Sequence, residues 1–185
     1  SDMQVLSPAD INLQNSFRQT AKPFDQEQSL VSLLVHYARV TPEKPAIRCD
    51  DRTYTYHQYN AQANALADIL TQKHEIKSQD KILVCTERTE RLAIIILAIW
   101  KCNAVYIPID PVNPKERIAQ IANDSAVSLI ITDSILTTQQ VAQPQVPAQE
   151  LCAQAEQKEV LPNPPVKGTK DDLAYIIYTS GSTGT

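Results

Sequence analysis

Residues 81–108 read KILVCTERTERLAIIILAIWKCNAVYIP, and the alternation of apolar and charged stretches within them decides the fold. Lys81-Ile82-Leu83-Val84-Cys85 is a continuous apolar run, the pattern of a strand covered on both faces. The next segment, Glu87 to Cys102, is charged for one turn and then almost wholly apolar, as expected of a helix sandwiched in a core. Ala104-Val105-Tyr106-Ile107 is a second strand, closed by Pro108 and Pro111. Moving outward, Pro114-Lys115-Glu116-Arg117 opens a helix over 114–123, with proline suited to the first helical position. Val127 to Thr132 (VSLIIT) and Leu173 to Tyr178 (LAYIIY) are further buried-strand runs. Strands alternating with helices predict an α/β fold, a doubly wound, mostly parallel sheet of five or more strands with helices on both faces. The run 173–178 has no edge-protecting charge or proline and is expected inside that sheet.

Upstream, Ser29 to Val40 shows helical spacing with Ser29 as N-cap, and Pro42 and Pro45 stop it. Short strands follow at 46–49 and 53–56, then an amphipathic helix over 58–72 with Tyr59, Ala63, Leu66, Ala67 and Leu70 on one stripe. Residues 1–27 read as an irregular, polar lead-in, and 28–185 as one domain. Its variable connector spans 137–170, with room for one helix near 148–158. Seven of the nineteen positions from Gln139 to Gln157 are glutamine. The stretches 1–25 and 139–165 are expected to be the least ordered, because such composition buries too little to offset ordering entropy.

The chain has 185 residues, 43% apolar and 21% charged, with a net charge of −4. That balance supports a core and gives no sequence-wide basic footprint for nucleic acid or an anionic membrane. The four cysteines form no CxxC pair, so zinc and thioredoxin-type chemistry are not indicated, and reduced thiols in a cytoplasmic protein are expected. The most apolar stretch, Leu92 to Trp100, is nine residues, about half of the ~18 that suggest a membrane span. The start, Ser-Asp-Met-Gln-Val-Leu, lacks signal-peptide features, and Met3 reads as the native start behind a two-residue cloning remnant.

Glycine is scarce: three in all, at 168, 181 and 184. Two of them lie in Thr179-Ser180-Gly181-Ser182-Thr183-Gly184-Thr185, which offers five hydroxyls in seven positions. Small residues that expose backbone N–H groups, with hydroxyls beside them, are what a phosphate-binding nest requires. The Walker pattern is absent. A flexible linker is the bland alternative; the loop's place directly after a strand, in a sheet whose ligands bind outside the carboxyl ends of strands, speaks against it.

With those residues in view, Asp172 to Gly184 resembles the phosphate-loop signature of adenylate-forming enzymes, specifically the amino-acid adenylation domains of nonribosomal peptide synthetases. Two upstream stretches agree in order: Tyr54-Thr55-Tyr56-His57-Gln58-Tyr59-Asn60, and Trp100 through Pro111 (WKCNAVYIPIDP). The resemblance spans 29–185. It implies an ATP-dependent ligase that forms an aminoacyl-AMP and releases pyrophosphate, with Thr179, Ser180, Gly181, Ser182, Thr183, Gly184 and Thr185 holding the β- and γ-phosphates. It also implies Mg2+, phosphopantetheine on a downstream carrier domain, and an amino acid substrate. A small MbtH-like protein is a further implied partner, docking near Pro114–Asn123 and the following loop. In the family the loop continues Pro-Lys-Gly, so the chain is expected to be an N-terminal portion, inactive alone, with no catalytic residue of its own. An acyl-CoA or aryl-acid ligase, and a non-catalytic truncated module, are the competing readings. The departures are Asn103 for a usual glycine, Gln58 for a usual acid, and Ser78-Gln79-Asp80 without a glycine. Asparagine is the residue that best replaces glycine at positive φ.

The remaining polar residues carry less. His36, His57 and His74 have no carboxylate or thiol at ligand spacing, so no metal site is expected. The tyrosines at 54, 56 and 59 read as packing residues and not as a base-stacking platform. Glu87, Arg88, Glu90 and Arg91 read as a solvated helix start, and Asp171-Asp172 as a turn before the last strand.

Overall fold

The computed structural model describes residues 7–20, 29–136 and 141–179. Two helices come first, α1 (Pro8–Arg18) and α2 (Leu30–Val40), then a hairpin of β1 (Pro45–Cys49) and β2 (Arg52–Thr55), antiparallel. The long helix α3 (Tyr56–Gln72) leads into β3 (Lys81–Cys85), α4 (Glu90–Lys101), β4 (Val105–Pro108), α5 (Lys115–Asp124) and β5 (Leu129–Thr132). A short β6 (Gln145–Pro147) and α6 (Ala148–Glu156) complete the set. Strands β3 to β6 form one parallel sheet in the order β4-β3-β5-β6.

Period-two alternation in β3 shows why both faces must be covered. Ile82 and Val84 enter a cluster with Leu66 and Leu70 of α3, Ile95 and Ile99 of α4, and Leu151 of α6. Leu83 and Cys85 point the other way, into a cluster with Ile118, Ile121 and Ala122 of α5. Helices α4 and α5 therefore lie on opposite faces, as the doubly wound reading requires. The chain turns from β3 to one face and from β4, its neighbour, to the other. The connections that leave the carboxyl ends of these two strands are residues 86–89 and 109–114.

Two expectations are corrected. Leu173–Tyr178 is not inside the sheet: it lies along the outer edge of β4 as a single parallel bridge between Tyr106 and Tyr175. Ile176 and Tyr178 pack on the α5-side cluster, while Leu173, Tyr175 and Ile177 are exposed. The polar lead-in contains α1, started by a capping box in which the Ser7 hydroxyl accepts from Asp10 N and Asp10 accepts from Ser7 N; two reciprocal bonds at a helix start offset a weak apolar stripe. The helix expected near 148–158 is present as α6, preceded by β6, with Val146, Leu151, Cys152 and Ala155 buried. Here Gln145 is structural, since its amide donates to Leu136 O at 3.0 Å and accepts from Leu136 N at 2.8 Å.

Two substitutions noted in the sequence are accommodated. Gln58 closes a capping box with Thr55, so an amide serves where an acid is usual. Asn103 has φ 55° and ends α4 as a Schellman motif, with Ala104 N donating to Ile99 O and Asn103 N to Trp100 O. Among the described residues no helix is long and apolar enough to cross a membrane.

Candidate functional site

The edge segment carries the chain toward the loop singled out in the sequence. Tyr106 N donates to Ala174 O at 3.1 Å and Ile176 N to Tyr106 O at 2.9 Å, so 173–178 runs parallel to β4 where they meet. Parallel strands share a direction, and Thr179 follows with its side chain exposed. Ser180, Gly181, Ser182, Thr183, Gly184 and Thr185 lie outside the described residues. The Tyr178 hydroxyl donates to Asp124 Oδ2 at 2.7 Å, which ties the last turn before the loop to the end of α5.

The strap from 168 to 176 is held mostly by side chains. The Gln79 amide clamps Leu173, donating to its carbonyl at 3.3 Å and accepting from its N–H at 3.0 Å, in place of a strand partner. Trp100 Nε1 donates to Ala174 O at 2.9 Å. Asp172 accepts from Thr169 N at 2.8 Å and from Asn103 Nδ2 at 3.1 Å, and those two donors hold its carboxyl below the usual carboxylate range, Thr169 first. This is the turn expected at Asp171-Asp172. Gln79, Trp100 and Asn103 as anchors of the strap were missed from sequence; the only signal was Asn103 and Ser78-Gln79-Asp80 standing where glycine is usual.

Just past β3, Thr86 is buried and its hydroxyl has no partner among the described residues. Asp133 N donates to Cys85 O, and Asp133 Oδ2 accepts from Glu87 N at 3.0 Å, which fixes the loop after β3. The charged start of α4 is not all solvated. Glu90 is buried and accepts from Arg52 Nη1 at 2.7 Å, tying the hairpin to the core helix. Tyr59 behaves as a packing residue: its hydroxyl donates to Ala93 O at 3.0 Å and burial pushes it up to about 12.

A second buried polar cluster lies under the connector. Lys101, at the end of α4, is 4% exposed; its amine donates to Asn60 Oδ1 at 2.9 Å and Asn163 Oδ1 at 3.2 Å. Asn64 donates to Leu161 O and to Asn163 Oδ1. Burial with no carboxylate partner among the described residues lowers the amine to about 8. The thiols of Cys102 and Cys152 are raised to about 12 by burial and are poor nucleophiles. No group of three His, Cys, Asp or Glu side chains suited to a metal occurs among the described residues.

Comparison with known proteins gives a consistent picture. Residues 34–185 match the profile of the AMP-binding enzyme family. One of the linear gramicidin synthase proteins of Brevibacillus parabrevis is 40% identical over 164 residues, covering 84% of this chain and 3% of that protein. Gramicidin S synthase 2 of Brevibacillus brevis is 32% identical over 185 residues, which is 100% of this chain and 4% of that one. The chain thus spans a small part of the curated relatives it matches. Among solved structures, the Klebsiella oxytoca NpsA N-terminal subdomain in complex with 3-hydroxybenzoyl-AMSN superimposes with a TM-score of 0.75. It is 27% identical and covers 85% of this chain and 39% of that one. An artificially fused NpsA-ThdA adenylation-PCP di-domain from Klebsiella oxytoca gives a TM-score of 0.74 at 26% identity, over 84% and 29% of the two chains.

Proposed function

The chain belongs to the AMP-binding enzyme family, and from that premise we propose that it is the N-terminal part of an ATP-dependent, amino-acid-activating adenylation domain of a nonribosomal peptide synthetase. The observation that carries this reading is the strap: a segment docked parallel to β4 that leads into Thr179-Ser180-Gly181-Ser182-Thr183-Gly184-Thr185. The reaction joins a carboxylate to AMP and expels pyrophosphate. The residues that would meet ATP are those seven, whose hydroxyls and N–H groups are a donor set fitted to phosphate oxygens. Their role is to orient the β- and γ-phosphates and to stabilise charge as pyrophosphate leaves. Mg2+ would accompany the nucleotide in this reading.

The partners in this reading are the remainder of the adenylation domain and a carrier domain bearing phosphopantetheine. An MbtH-like protein would meet the outer surface of α5. Gln120, Asn123 and Asp124 are exposed there, whereas Ala119 and Ala122 face the core. The aryl-acid ligase is the second reading, favoured by one observation: the solved NpsA subdomain holds a hydroxybenzoyl ligand.

The test is pyrophosphate exchange. The full-length protein containing this chain should exchange pyrophosphate into ATP in response to one or a few amino acids and not to benzoates. The 185-residue chain should give none and bind ATP no tighter than about millimolar, roughly −4 kcal/mol. Exchange driven by an aryl acid would establish the second reading, and absence of exchange with either class would sink both.

A further inference from the structure

Asn103 occupies the C′ position of α4, where φ is 55° and glycine is the cheapest residue. A bare glycine would make the turn equally well, so the side chain calls for an account of its own. Its Nδ2 donates to Ser78 Oγ at 2.8 Å and to Asp172 Oδ2 at 3.1 Å. Its carbonyl accepts from Gln79 N at 2.7 Å and from Gln79 Nε2 at 3.2 Å, and that same Gln79 amide grips Leu173. Gly168, at φ 97°, lies so close that a Cβ there would collide with the Asn103 amide. One residue thus touches both ends of the turn that feeds the strap, at Gly168 and at Asp172.

We propose that Asn103 is a positioning residue: its side-chain amide latches Asp172, beside the Gln79 that its carbonyl holds, and so sets the register in which residues 172–176 run into the phosphate loop. The proposal rests on reading 179–185 as phosphate-binding. Among the described residues the strap's sheet pairing is one bridge to β4, so upstream of Ala174 its register depends on these side-chain bonds. A loop delivered one residue out of register presents the wrong N–H groups, and misplacement on the ångström scale is costly to a site that works by orientation.

Two variants separate a latch from a mere turn residue. Asn103→Gly removes the amide but suits the positive φ, so the global unfolding midpoint should stay or rise. Hydrogen exchange at the Leu173 and Ile176 amides should nevertheless quicken about tenfold, with the β3 amides unchanged. Asp172→Asn keeps an acceptor oxygen and should stay within about twofold of the parent. In the full-length protein, Asn103→Gly should raise the KM for ATP about fivefold while kcat and the KM for the amino acid hold. Wild-type exchange at Leu173 and Ile176 in Asn103→Gly would overturn the latch. Faster exchange with an unchanged KM for ATP would overturn its role in positioning the loop. Should Ser182→Ala leave the KM for ATP unchanged, the phosphate reading falls and the positioning role with it, while the exchange measurement on the latch stands by itself.

Discussion

Lys81–Cys85 and Leu173–Tyr178 look alike on paper, each an unbroken apolar run of strand length. In the folded chain they have opposite fates. β3 has a strand on either side and helices on both faces, and Ile82 through Cys85 are all buried. The strap has β4 on one side through one bridge, and Leu173, Tyr175 and Ile177 are each more than half exposed. An apolar run specifies that a segment prefers to be extended and covered. How many neighbours it finds is decided by other elements, and β3 obtains its two by lying between the ends of two crossovers.

The largest expected effect tests that difference directly. Ile82→Ala should destabilise the chain by about 3–4 kcal/mol, the usual cost of emptying a fully enclosed site. Ile176→Ala, on the half-covered side of the strap, should cost less than about 1.5 kcal/mol, because solvent can reach the space it leaves. Equal shifts in the denaturation midpoint for the two variants would show that the strap is as much a part of the cooperative core as β3.

The reach of sequence reading divides along the same line. The β3-α4-β4 unit, the helix over 115–124, the buried β5 and the α/β class were legible because hydrophobic periodicity reports burial directly. The neighbours of 173–178 were not, because pairing is set by side chains remote in sequence: Gln79, Trp100 and Asn103 meet the strap across 69 residues or more. Composition misled at the polar lead-in, whereas the helix expected near 148–158 is there. Ser7 and Asp10 carried a readable capping signal that the polarity of the lead-in obscured. In the glutamine-rich stretch, a few apolar residues at helical spacing, Leu151, Cys152 and Ala155, were enough to dock α6. The loop over 179–185 stays a reading from its glycines, its hydroxyls and a family resemblance, since Ser180 to Thr185 lie outside the described residues.

A second prediction concerns Lys101, which joins the core to the connector that leads to the strap. Its amine sits at about 8 in the folded chain against an ordinary value of 10.5. Between those values the unfolded chain holds a proton that the folded chain has lost, so this group makes stability rise with pH across the window. The thiols of Cys102 and Cys152, held near 12, act oppositely above their ordinary value of 9, where the unfolded chain gives up protons first. The Lys101 contribution is therefore read as a difference. Wild type minus Lys101→Met, plotted against pH, should climb by on the order of 2 kcal/mol from pH 8 to 10.5. A flat difference would mean that the amine finds solvent or a countercharge, and that the connector is not sealed over α4.

The smallest effect is the sharpest on the comparison. Ile177 is 59% exposed and alternates with Ile176, which packs on the α5-side cluster. Threonine keeps the β-branch, and with it the extended preference of the backbone, while removing apolar surface that already faces water. Ile177→Thr should therefore move the unfolding midpoint of this chain by less than about 0.5 kcal/mol. In the full-length protein the outcome discriminates further. If the outer side of the strap stays open there, the substitution remains neutral. If another part of the protein covers it, the same change should cost about 1–2 kcal/mol, since the lost methyl and the buried hydroxyl then both count. A cost of that size in the 185-residue chain itself would contradict the exposed edge, and would return 173–178 to the interior position that its sequence suggests.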